Sequence, residues 1–417
     1  MRIPVILLVI SYVTIFLMDW YIWNDIKIFS CKSFFRVPRK KKSPWALAFL
    51  IFSGLVVALF TVAICLPHRD QNGDLQTKMW LLYTFLTVYF SELIYLICSL
   101  AGFVSLVFRR PRVNTGLWIG LPLALLTCGL MWWGTAIGRK QIEIKTHEII
   151  SPKVPASFDG YKIVQLSDLH VGTWGSDTLF ISRLVDSINA QKPDLIVFTG
   201  DIVNRKTDEV NPFVNTLTRL KAKDGVLAVL GNHDYGDYIT WNSLEEKRQN
   251  MKSLEKFYET AGWNLLNNSR KFITNERNDT IVLIGVENWG EPPFHQYGKL
   301  DKAYPVNPDS TYNVNDERFK ILLSHNPEHW NRVISNTTNI DLTLSGHTHA
   351  MQIMFQLGPF RWSPSEYKYE QWSGLYERTS KRNEKLRLYV NIGAGEVGLP
   401  MRIGATPEIT TFILRHD

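Results

Sequence analysis

The sequence predicts four membrane-spanning helices followed by a layered α/β domain. Two observations carry this prediction: four long apolar stretches come first, and short aliphatic runs then alternate with segments of helical periodicity. Charge divides the chain at the same place. Residues 1–138 hold 13 Lys and Arg against 5 Asp and Glu, whereas residues 139–417 are nearly neutral. We therefore expect a membrane domain over 1–138 and a second domain over 139–417, which lacks the basic excess typical of nucleic-acid binding.

Each of the four apolar stretches is near or above the roughly 20 residues that a helix needs to cross a bilayer. Aromatic residues lie towards their ends, as is typical where a span meets the polar interface. The stretches are Ile3–Trp23, Trp45–Leu66, Trp80–Phe108 and Gly116–Ile137. No small-residue cleavage site follows the first stretch, so we expect it to be retained. The chain should be an integral membrane protein in contact with membrane lipids.

The charge of the loops predicts the orientation. Basic residues collect in the first and third loops, namely Lys27, Lys32, Arg36, Arg39, Lys40, Lys41, Lys42, Arg109, Arg110 and Arg112. The second loop is balanced, with Asp70 and Asp74 against Arg69 and Lys78. Because positively charged loops stay in the cytoplasm, residues 139–417 are expected outside it. The basic residues just after the fourth span act against this orientation, namely Arg139, Lys140 and Lys145.

One ionisable residue, Glu92, is expected near mid-membrane. An ionisable group there is energetically costly and often functional. The alternative is a protonated carboxyl group that hydrogen-bonds a neighbouring span through Ser91, Thr87 or Thr127. We favour this alternative because the sequence indicates no second intramembrane charge that would complete a relay.

The second domain alternates strand-like and helix-like segments. Short β-branched or aliphatic runs predict buried strands at 162–166, 195–198, 226–230, 321–323 and 342–344, with later strands at 280–286, 388–392 and 410–414. Apolar residues at three- and four-residue spacing predict helices over 179–190, 212–222, 244–261 and 328–335. Alternation of this kind is typical of a layered α/β domain.

Polar blocks follow five of these strands directly. They are Asp168-Leu169-His170, Gly200-Asp201, Gly231-Asn232-His233-Asp234, Ser324-His325-Asn326-Pro327 and Gly346-His347-Thr348-His349. Loops beyond the carboxyl ends of strands converge in α/β folds, so these distant residues are expected in one pocket. A single dipeptide of this kind is an ordinary turn, whereas five blocks that each follow a strand indicate a site.

The blocks supply the side chains of a metal site. Carboxylate, amide oxygen and imidazole are ligands for Mn²⁺, Fe or Zn²⁺. A thiolate ligand is excluded from the second domain because all four cysteines precede it, at Cys31, Cys65, Cys98 and Cys128. The blocks hold enough ligands for two divalent ions, which in two-metal hydrolases lie roughly 3.5–4 Å apart. Mn²⁺ is the first expectation, and Fe and Zn²⁺ are the alternatives.

Three loops are expected to rim the pocket: Tyr235–Thr240, Trp289–Asn315 and Phe355–Arg378. The last two are long, aromatic and rich in Pro or Gly, and loops of this length are often functional. Gly393–Gly398 matches the G-x-G-x-x-G pattern, but Pro400 follows where a helix should open. We interpret this segment as a loop whose glycines let the backbone approach the site closely.

In type and order, the five blocks resemble the calcineurin-like metallophosphoesterases, and the resemblance covers about residues 160–415. It implies a layered β-sandwich flanked by helices and a binuclear metal centre. The first metal would take Asp168, His170, Asp201 and His349. The second would take Asp201, Asn232, His325 and His347, with Asp201 as the bridge. His233 would stabilise the transferring phosphoryl group or protonate the leaving oxygen, with Asp234 orienting it.

The segments 388–393, 399–404 and 407–409, together with 167–172, resemble the membrane-associated branch of that family. That branch includes bacterial transmembrane proteins, so the resemblance implies a bacterial inner membrane as the location. Some of its members cleave the pyrophosphate of UDP-diacylglucosamine, so the resemblance also implies a phosphorylated small-molecule or lipid substrate. Relatives often have Gly-Gly-Gln after the last histidine, where this chain has Ala350-Met351-Gln352. Two functions follow. One is a membrane-anchored hydrolase of a phosphoric ester or pyrophosphate bond, and the alternative is a non-catalytic scaffold whose domain senses phosphate.

Overall fold

The structure is a computed structural model that describes residues 5–30, 43–67, 69–108, 113–292, 295–304, 312–380 and 382–417. The chain forms two compact units. One contains Met1–His68 and Asp74–Gly134, and the other contains Arg69–Gly73 and Thr135–Asp417. A short piece of the loop between the second and third spans therefore belongs to the second unit.

Four helices are long and apolar enough to cross a membrane. Their bounds are Val5–Ser30, Pro44–Cys65, Leu75–Ala101 and Leu121–Ala136, the last preceded by a π-helical turn at Gly116–Gly120. A short helix, Val104–Val107, follows the third. These helices confirm the prediction of a membrane protein. Residues 31–42 and 109–112, which hold most of the basic loop residues, lie outside the described ranges.

Two further acidic residues, Asp19 and Asp25, are buried on the first helix. Asp19 interacts with Glu92 of the third helix. The hydroxyl groups that donate hydrogen bonds to the two aspartates belong to Ser53, Tyr89, Tyr95 and Ser99. The expectation that Glu92 has no second acid beside it was therefore wrong. Asp19 already lay within the expected first span, and the helix continues past its expected end at Trp23 to Ser30, which adds Asp25.

The second unit contains two six-stranded sheets and a separate two-stranded hairpin among its described residues. In chain order the strands are β1 (Glu143–Ser151), β2 (Lys162–Leu166), β3 (Leu195–Phe198), β4 (Val226–Ala228), β5 (Trp263–Leu265), β6 (Ser269–Thr274), β7 (Thr280–Gly285), β8 (Lys320–Leu323), β9 (Leu342–Ser345), β10 (Phe355–Leu357), β11 (Phe360–Trp362), β12 (Gly374–Thr379), β13 (Lys385–Val390) and β14 (Glu408–His416). The first sheet has the order β1-β14-β2-β3-β4-β5, and the second has the order β12-β13-β9-β8-β7-β6.

The two sheets pack face to face around an apolar core. Ile163 and Leu195 of the first sheet share one buried cluster with Leu283, Ile321 and Leu344 of the second. Helices cover the outer faces, which confirms the predicted layered β-sandwich flanked by helices. The α-helices of this unit are Leu179–Ala190, Val214–Leu217, Leu244–Thr260, Leu300–Ala303 and Ser335–Thr337. Short 3-10 or π turns occur at Gly138–Lys140, Ala156–Phe158, Val171–Trp174, Thr207–Phe213, Trp330–Ile334, His349–Gln352 and Pro364–Tyr367.

The strand order brings the polar blocks to one edge of the sandwich. Strands β2, β3 and β4 are parallel neighbours in the first sheet, and β8, β9 and β13 are parallel neighbours in the second. The five blocks follow β2, β3, β4, β8 and β9, and the glycine loop 393–398 follows β13. Because parallel neighbours end at the same edge, all six loops approach one place.

Several predicted segments differ in the structure, among them the expected helix over 328–335, which is a π-helical turn at Trp330–Ile334 followed by Ser335–Thr337. The expected helix over 212–222 is a 3-10 segment, Thr207–Phe213, and one α-helical turn, because Pro212 lacks the N–H that a longer α-helix would need. The expected loop Phe355–Arg378 contains the hairpin β10–β11 and most of β12. Strands of three residues are too short to show a periodic pattern, so the sequence did not indicate this hairpin.

Candidate metal centre

Asp168, His170 and His349 form what we call the inner ligand group. All three side chains are buried. Nε2 of His349 lies 3.1 Å from Nε2 of His170 and 3.2 Å from Oδ1 of Asp168. Since these ligand atoms all lie within 4.8 Å of one another, the group could hold one metal ion.

Asn232, His325 and His347 form the outer ligand group. Nε2 of His325 lies 3.1 Å from Oδ1 of Asn232 and 3.1 Å from Nδ1 of His347. The carboxylate of Asp201 stands between the two groups, with Oδ2 at 3.1 Å from Nε2 of His325 and 3.6 Å from Nε2 of His170. A single carboxylate oxygen thus faces both groups, as a bridging ligand requires.

The hydrogen bonds of the histidines indicate that their lone pairs point into the centre. Nδ1 of His170 donates to the carbonyl of Val203, and Nδ1 of His325 donates to the carbonyl of Thr199. In the neutral form that binds a metal ion, with the proton on Nδ1, each Nε2 carries a lone pair towards the carboxylates. Backbone carbonyls behind histidine ligands fix the ring and its tautomer in this way at metal sites. Several acceptors within 3–4 Å of one another fit divalent cations.

The electrostatics of the centre also favour the binding of cations. Burial alone would raise the pKa of Asp168, but His349 and His170 hold it well below its ordinary value. Burial likewise opposes ionisation of Asp201, and His325 and His233 lower its pKa. Burial would lower the pKa of His325, but the carboxylate of Asp201 raises it to about 9. The two buried carboxylates are therefore ionised and attract cations.

The backbone around the centre is held in an unusual conformation. Five of the proposed ligands have left-handed φ values: Asp168 (51°), His170 (41°), Asp201 (60°), His347 (76°) and His349 (51°). Non-glycine residues rarely adopt this region, and such strain collects at functional sites. Gly346 explains how the backbone fits, because a Cβ there would overlap Ser167 and the carboxylate of Asp168. Likewise a Cβ at Gly395 would overlap the carbonyl of Leu169, which agrees with the interpretation of the glycine loop.

His233 lies beside the centre but does not join either ligand group. Its Nδ1 donates to the carbonyl of Asn204 at 2.7 Å, so Nε2 is left as the free nitrogen of the ring. Asp234 does not orient this ring, contrary to the expectation. Its carboxylate instead accepts hydrogen bonds from the backbone N–H groups of Gly231, Asp201 and neighbouring Ile202. Asp234 therefore joins the loops after β3 and β4, and burial raises its pKa to about 7.

Three residues support the centre that the sequence did not single out. The Tyr238 ring stacks on His233 with centroids 4.1 Å apart, and its hydroxyl accepts a hydrogen bond from the Asn232 amide. The Tyr369 hydroxyl lies 3.0 Å from Nε2 of His347. Asn204 contributes its carbonyl to His233. Both tyrosines belong to loops that were expected to rim the pocket, but a single tyrosine in a loop carries no signal of its own.

Comparison with known proteins assigns the chain to a family. Residues 161–351 match the family described as Calcineurin-like phosphoesterase, and residues 1–139 match one described as Probable Calcineurin-like phosphoesterase, transmembrane domain. A Bacillus subtilis protein named Uncharacterized metallophosphoesterase YkuE is 34% identical over 315 residues, which cover 73% of this chain and 97% of that protein. This chain belongs to the calcineurin-like phosphoesterases. It is therefore a metal-dependent phosphoester hydrolase with a transmembrane region.

Two other relatives show the range of this phosphoesterase family. A Danio rerio protein named Transmembrane protein with metallophosphoesterase domain is 28% identical over 304 residues, covering 70% of this chain and 62% of that protein. The UDP-2,3-diacylglucosamine pyrophosphatase LpxG of Chlamydia muridarum is 27% identical over 297 residues, covering 64% of this chain and 88% of that protein.

A cavity of about 270 Å³ opens onto the phosphoesterase centre. It is lined by Asp201, Asn232, His233, His347, Thr348, His349, Met351, Gln352, Tyr369, Val397 and Leu399. One wall is thus polar and holds the ligands, whereas Met351, Val397 and Leu399 make the other wall apolar. Of the three expected rim loops, Phe355–Arg378 supplies Tyr369, and no described residue of Trp289–Asn315 lines the cavity.

Two contacts of the second unit involve segments that adjoin the membrane spans in the chain. Arg139 directly follows the fourth span, and its Nε lies 2.8 Å from the buried carboxylate of Glu396, next to Val397 in the apolar wall. The guanidinium also lies 4.1 Å from the centre of the Trp174 ring. Arg205, which follows Asn204 in the chain, donates to the carbonyl of Gly73 in the second loop.

Proposed function

We propose that this phosphoesterase hydrolyses a phosphoric ester or pyrophosphate bond in a lipid-linked or nucleotide-linked substrate at the membrane surface. The observation that carries the proposal is that residues of the catalytic unit bind the chain segments that adjoin the spans. Glu396 binds Arg139 after the fourth span, and Arg205 and Thr240 bind the backbone of Arg69–Gly73 between the second and third. Both segments directly adjoin apolar spans in the chain, and this attachment supports a substrate that is drawn from a membrane.

Two further observations support a substrate with a polar and an apolar part. The ligand wall suits phosphate oxygens, and the wall of Met351, Val397 and Leu399 suits a hydrocarbon chain. The relative from Chlamydia muridarum is named for cleavage of UDP-2,3-diacylglucosamine, which has both parts. Its similarity to this chain supports a pyrophosphate bond as the first substrate to test.

We propose that the inner group with Asp201 holds one divalent cation and that the outer group with Asp201 holds a second, with Mn²⁺ as the first expectation. The bound ions would supply Lewis-acid polarisation of the phosphoryl group and of the attacking water. No cysteine lies in the second unit, so the ligands are nitrogen and oxygen atoms only. Mn²⁺, Fe and Zn²⁺ all accept such ligands.

His233 would act on the phosphoryl group or on the leaving oxygen. Its Nδ1 is committed to Asn204, so Nε2 is the nitrogen available for proton exchange. Burial lowers the pKa of His233 to about 4, and the ring is therefore neutral at pH 7. An anionic phosphoryl group would raise that pKa and favour the proton on Nε2. The stacked ring of Tyr238 holds the imidazole in place during this exchange.

Orientation is part of the proposal. Basic loops one and three favour a cytoplasmic position for those loops and an extracytoplasmic position for residues 139–417. The contact between Thr240 and the backbone of Arg69 supports four spans, because the second loop and the catalytic domain then lie on one side. A phosphatase reporter that is active only after export should be active when fused after Asp417 and silent when fused after Lys42. The reverse pattern would place the catalytic domain in the cytoplasm.

The substrate proposal is tested with full-length protein in nanodiscs. A diacylated sugar-nucleotide pyrophosphate is compared with its deacylated counterpart, each with Mn²⁺ and with a chelator. We expect Mn²⁺-dependent turnover of both, with kcat/KM at least about tenfold higher for the acylated compound, because burial of even two methylene groups is worth ~1.6 kcal/mol. Equal kcat/KM values would overturn the lipid-linked assignment. If the protein hydrolyses none of the three compounds, the two pyrophosphates and a generic aryl phosphodiester, the assignment as a hydrolase is overturned.

A further inference from the structure

The hairpin β10–β11 has its apolar face outward. The cross-strand pairs Phe355–Trp362 and Leu357–Phe360 share one face, because the pair between them, Gln356–Arg361, points to the other. Phe355, Leu357 and Phe360 are 50%, 82% and 64% exposed. This orientation is the reverse of what a hairpin on a water-soluble surface adopts, where the apolar face packs inward.

On the other face of the same hairpin, Arg361 contacts the protein, whereas Gln356 is exposed. The guanidinium of Arg361 lies 4.6 Å from the centre of the Trp372 ring, and Trp372 is buried. Arg361 also lies close to the backbone of Gly374. Tyr367, which is 83% exposed, meets the ring of Trp362 edge-on and extends the outward apolar face. A two-stranded hairpin with this arrangement has little to stabilise it in water.

The base of the hairpin is part of the cavity wall. Gln352 accepts a hydrogen bond from the N–H of Val397 and donates to the carbonyls of Leu399 and Met401. The neighbour of Val397 is Glu396, which holds Arg139 at the end of the fourth span. The hairpin is thus joined through one hydrogen-bonded loop to the point where the chain leaves the membrane.

We propose that the apolar face of the hairpin, formed by Phe355, Leu357, Phe360 and Trp362, inserts into the interfacial layer of the bilayer that holds the four spans. Aromatic and aliphatic side chains on one face of an element are typical of interfacial insertion. Met351, four residues before the hairpin, lines the cavity together with Val397 and Leu399. The acyl chain of a lipid-linked substrate then passes along the hairpin to the metal centre, a consequence that rests on the proposed function.

The bilayer is the proposed partner of the apolar face because the chain itself is anchored in it. The four spans keep a lipid surface within reach of the second unit at all times, whereas a second copy or another protein must be recruited. The tip of the hairpin, Gly358-Pro359, carries no charge that would oppose entry into the interface. Other occupants are outcomes of the test below.

Insertion is tested by fluorescence quenching in nanodiscs that contain phosphatidylcholine brominated near the head group. A bimane label is placed at Leu357→Cys in full-length protein whose four cysteines are replaced by alanine. The matched control label is at Leu244→Cys, since Leu244 is an exposed leucine, 75% accessible, on a different element. We expect strong quenching by the brominated lipid at 357 and little at 244, with the reverse order for aqueous iodide. Equal iodide quenching at both positions would overturn the proposal.

Function is tested with the double variant Leu357→Asp/Phe360→Asp and the control Leu179→Asp/Leu244→Asp. Both pairs are exposed, and Leu179 and Leu244 begin helices where an aspartate is tolerated. For a lipid pyrophosphate in vesicles, we expect the hairpin variant to raise KM at least about tenfold, as loss of two buried apolar side chains implies. Its kcat/KM for a soluble aryl phosphodiester should stay within about twofold of wild type, and the control should change neither.

The outcomes separate the inference from the proposed function. If wild-type protein hydrolyses neither substrate, the hydrolase assignment fails, and the quenching experiment still decides whether the hairpin inserts. If the hairpin variant loses activity on both substrates equally, the hairpin supports the fold of the centre and the insertion proposal is wrong. If the variant changes only the oligomeric state, the face is an interface between copies of the chain and the proposal is also wrong.

Discussion

The inner and outer ligand groups are built from the same residue types but supported by different parts of the fold. The inner group is buried and is enclosed by backbone: Val203 holds His170, and the glycine loop after β13 packs against Asp168. The outer group lies partly open to the cavity, and two of its ligands depend on tyrosines from rim loops, Asn232 on Tyr238 and His347 on Tyr369.

Because of this difference, the two metal positions should respond to different amino-acid substitutions. The inner position depends on close backbone packing, so it should be sensitive to added volume and insensitive to the rim. The outer position depends on tyrosine side chains from loops, so its metal ion should exchange more readily than the inner one. Asp201 is the single side chain that belongs to both.

The largest effect is expected where the two groups meet. Asp201→Asn should abolish turnover and lower the occupancy of both metals, because a neutral amide is a poor bridge between two cations. Metal content by elemental analysis and kcat on an aryl phosphodiester are the measurements. Asp208→Asn is the matched control, since Asp208 is an exposed aspartate outside the centre. Near-normal turnover with two bound metals would show that Asp201 is not shared.

A substitution at His233, beside both groups, should slow hydrolysis without releasing the metals. His233→Ala should retain both metals but slow hydrolysis by ~10²–10⁴-fold, the usual contribution of a general acid or base. His295→Ala serves as the control, because His295 is exposed and contacts Tyr297 instead of the centre. Loss of either metal in the His233 variant would make His233 a ligand and would move it into one of the groups.

Added volume should act on the inner group alone. Gly346→Ala puts a methyl group against Ser167 and Asp168, and overpacking of this kind costs about 1–3 kcal/mol. Metal affinity at the inner position should therefore fall by roughly 10- to 100-fold, while the outer position keeps its metal. Gly129→Ala is the control, since a Cβ there meets nothing within 4 Å. Metal titration by calorimetry resolves the two positions, and an equal loss at both would contradict separate support.

The smallest effect is expected from the rim. Tyr369→Phe removes the hydroxyl beside His347 and should weaken metal binding at the outer position by about tenfold, with the inner position unchanged. Tyr367→Phe is the matched control, because Tyr367 is a neighbouring tyrosine that is 83% exposed. If Tyr369→Phe weakens the inner metal instead, the assignment of ligands to the two groups is wrong.

Much of the sandwich could be predicted because buried strands leave a strong local signal. The strands at Lys162–Leu166 and Leu195–Phe198 were placed residue for residue, since both are short runs rich in buried β-branched or aliphatic residues. The ligands follow such runs, so their convergence could be predicted from the order of strands in parallel sheets. Short edge strands such as β5 and β6 were not predicted, because three to six residues with mixed polarity resemble a loop.

The supporting contacts could not be predicted in the same way. Asp234 follows His233 in the chain, which suggested that it orients the ring, yet its carboxylate turns away to the backbone of the loop after β3. Asn204, which does hold the ring, is distant in sequence and acts through its carbonyl. Every residue has a backbone carbonyl, so the sequence could not indicate which carbonyl accepts the hydrogen bond from His233.

By itself the sequence determined that a membrane region precedes an α/β domain, and which residue types gather at the strand ends, because span length and strand hydrophobicity are local properties. Only the tertiary structure decided what stands behind each ligand, that Asp19 lies beside Glu92, and that the hairpin after Met351 turns its apolar face outward. These features depend on which loops meet and on the direction in which each side chain points. Such contacts are set by packing over long separations and leave no periodic pattern in the chain.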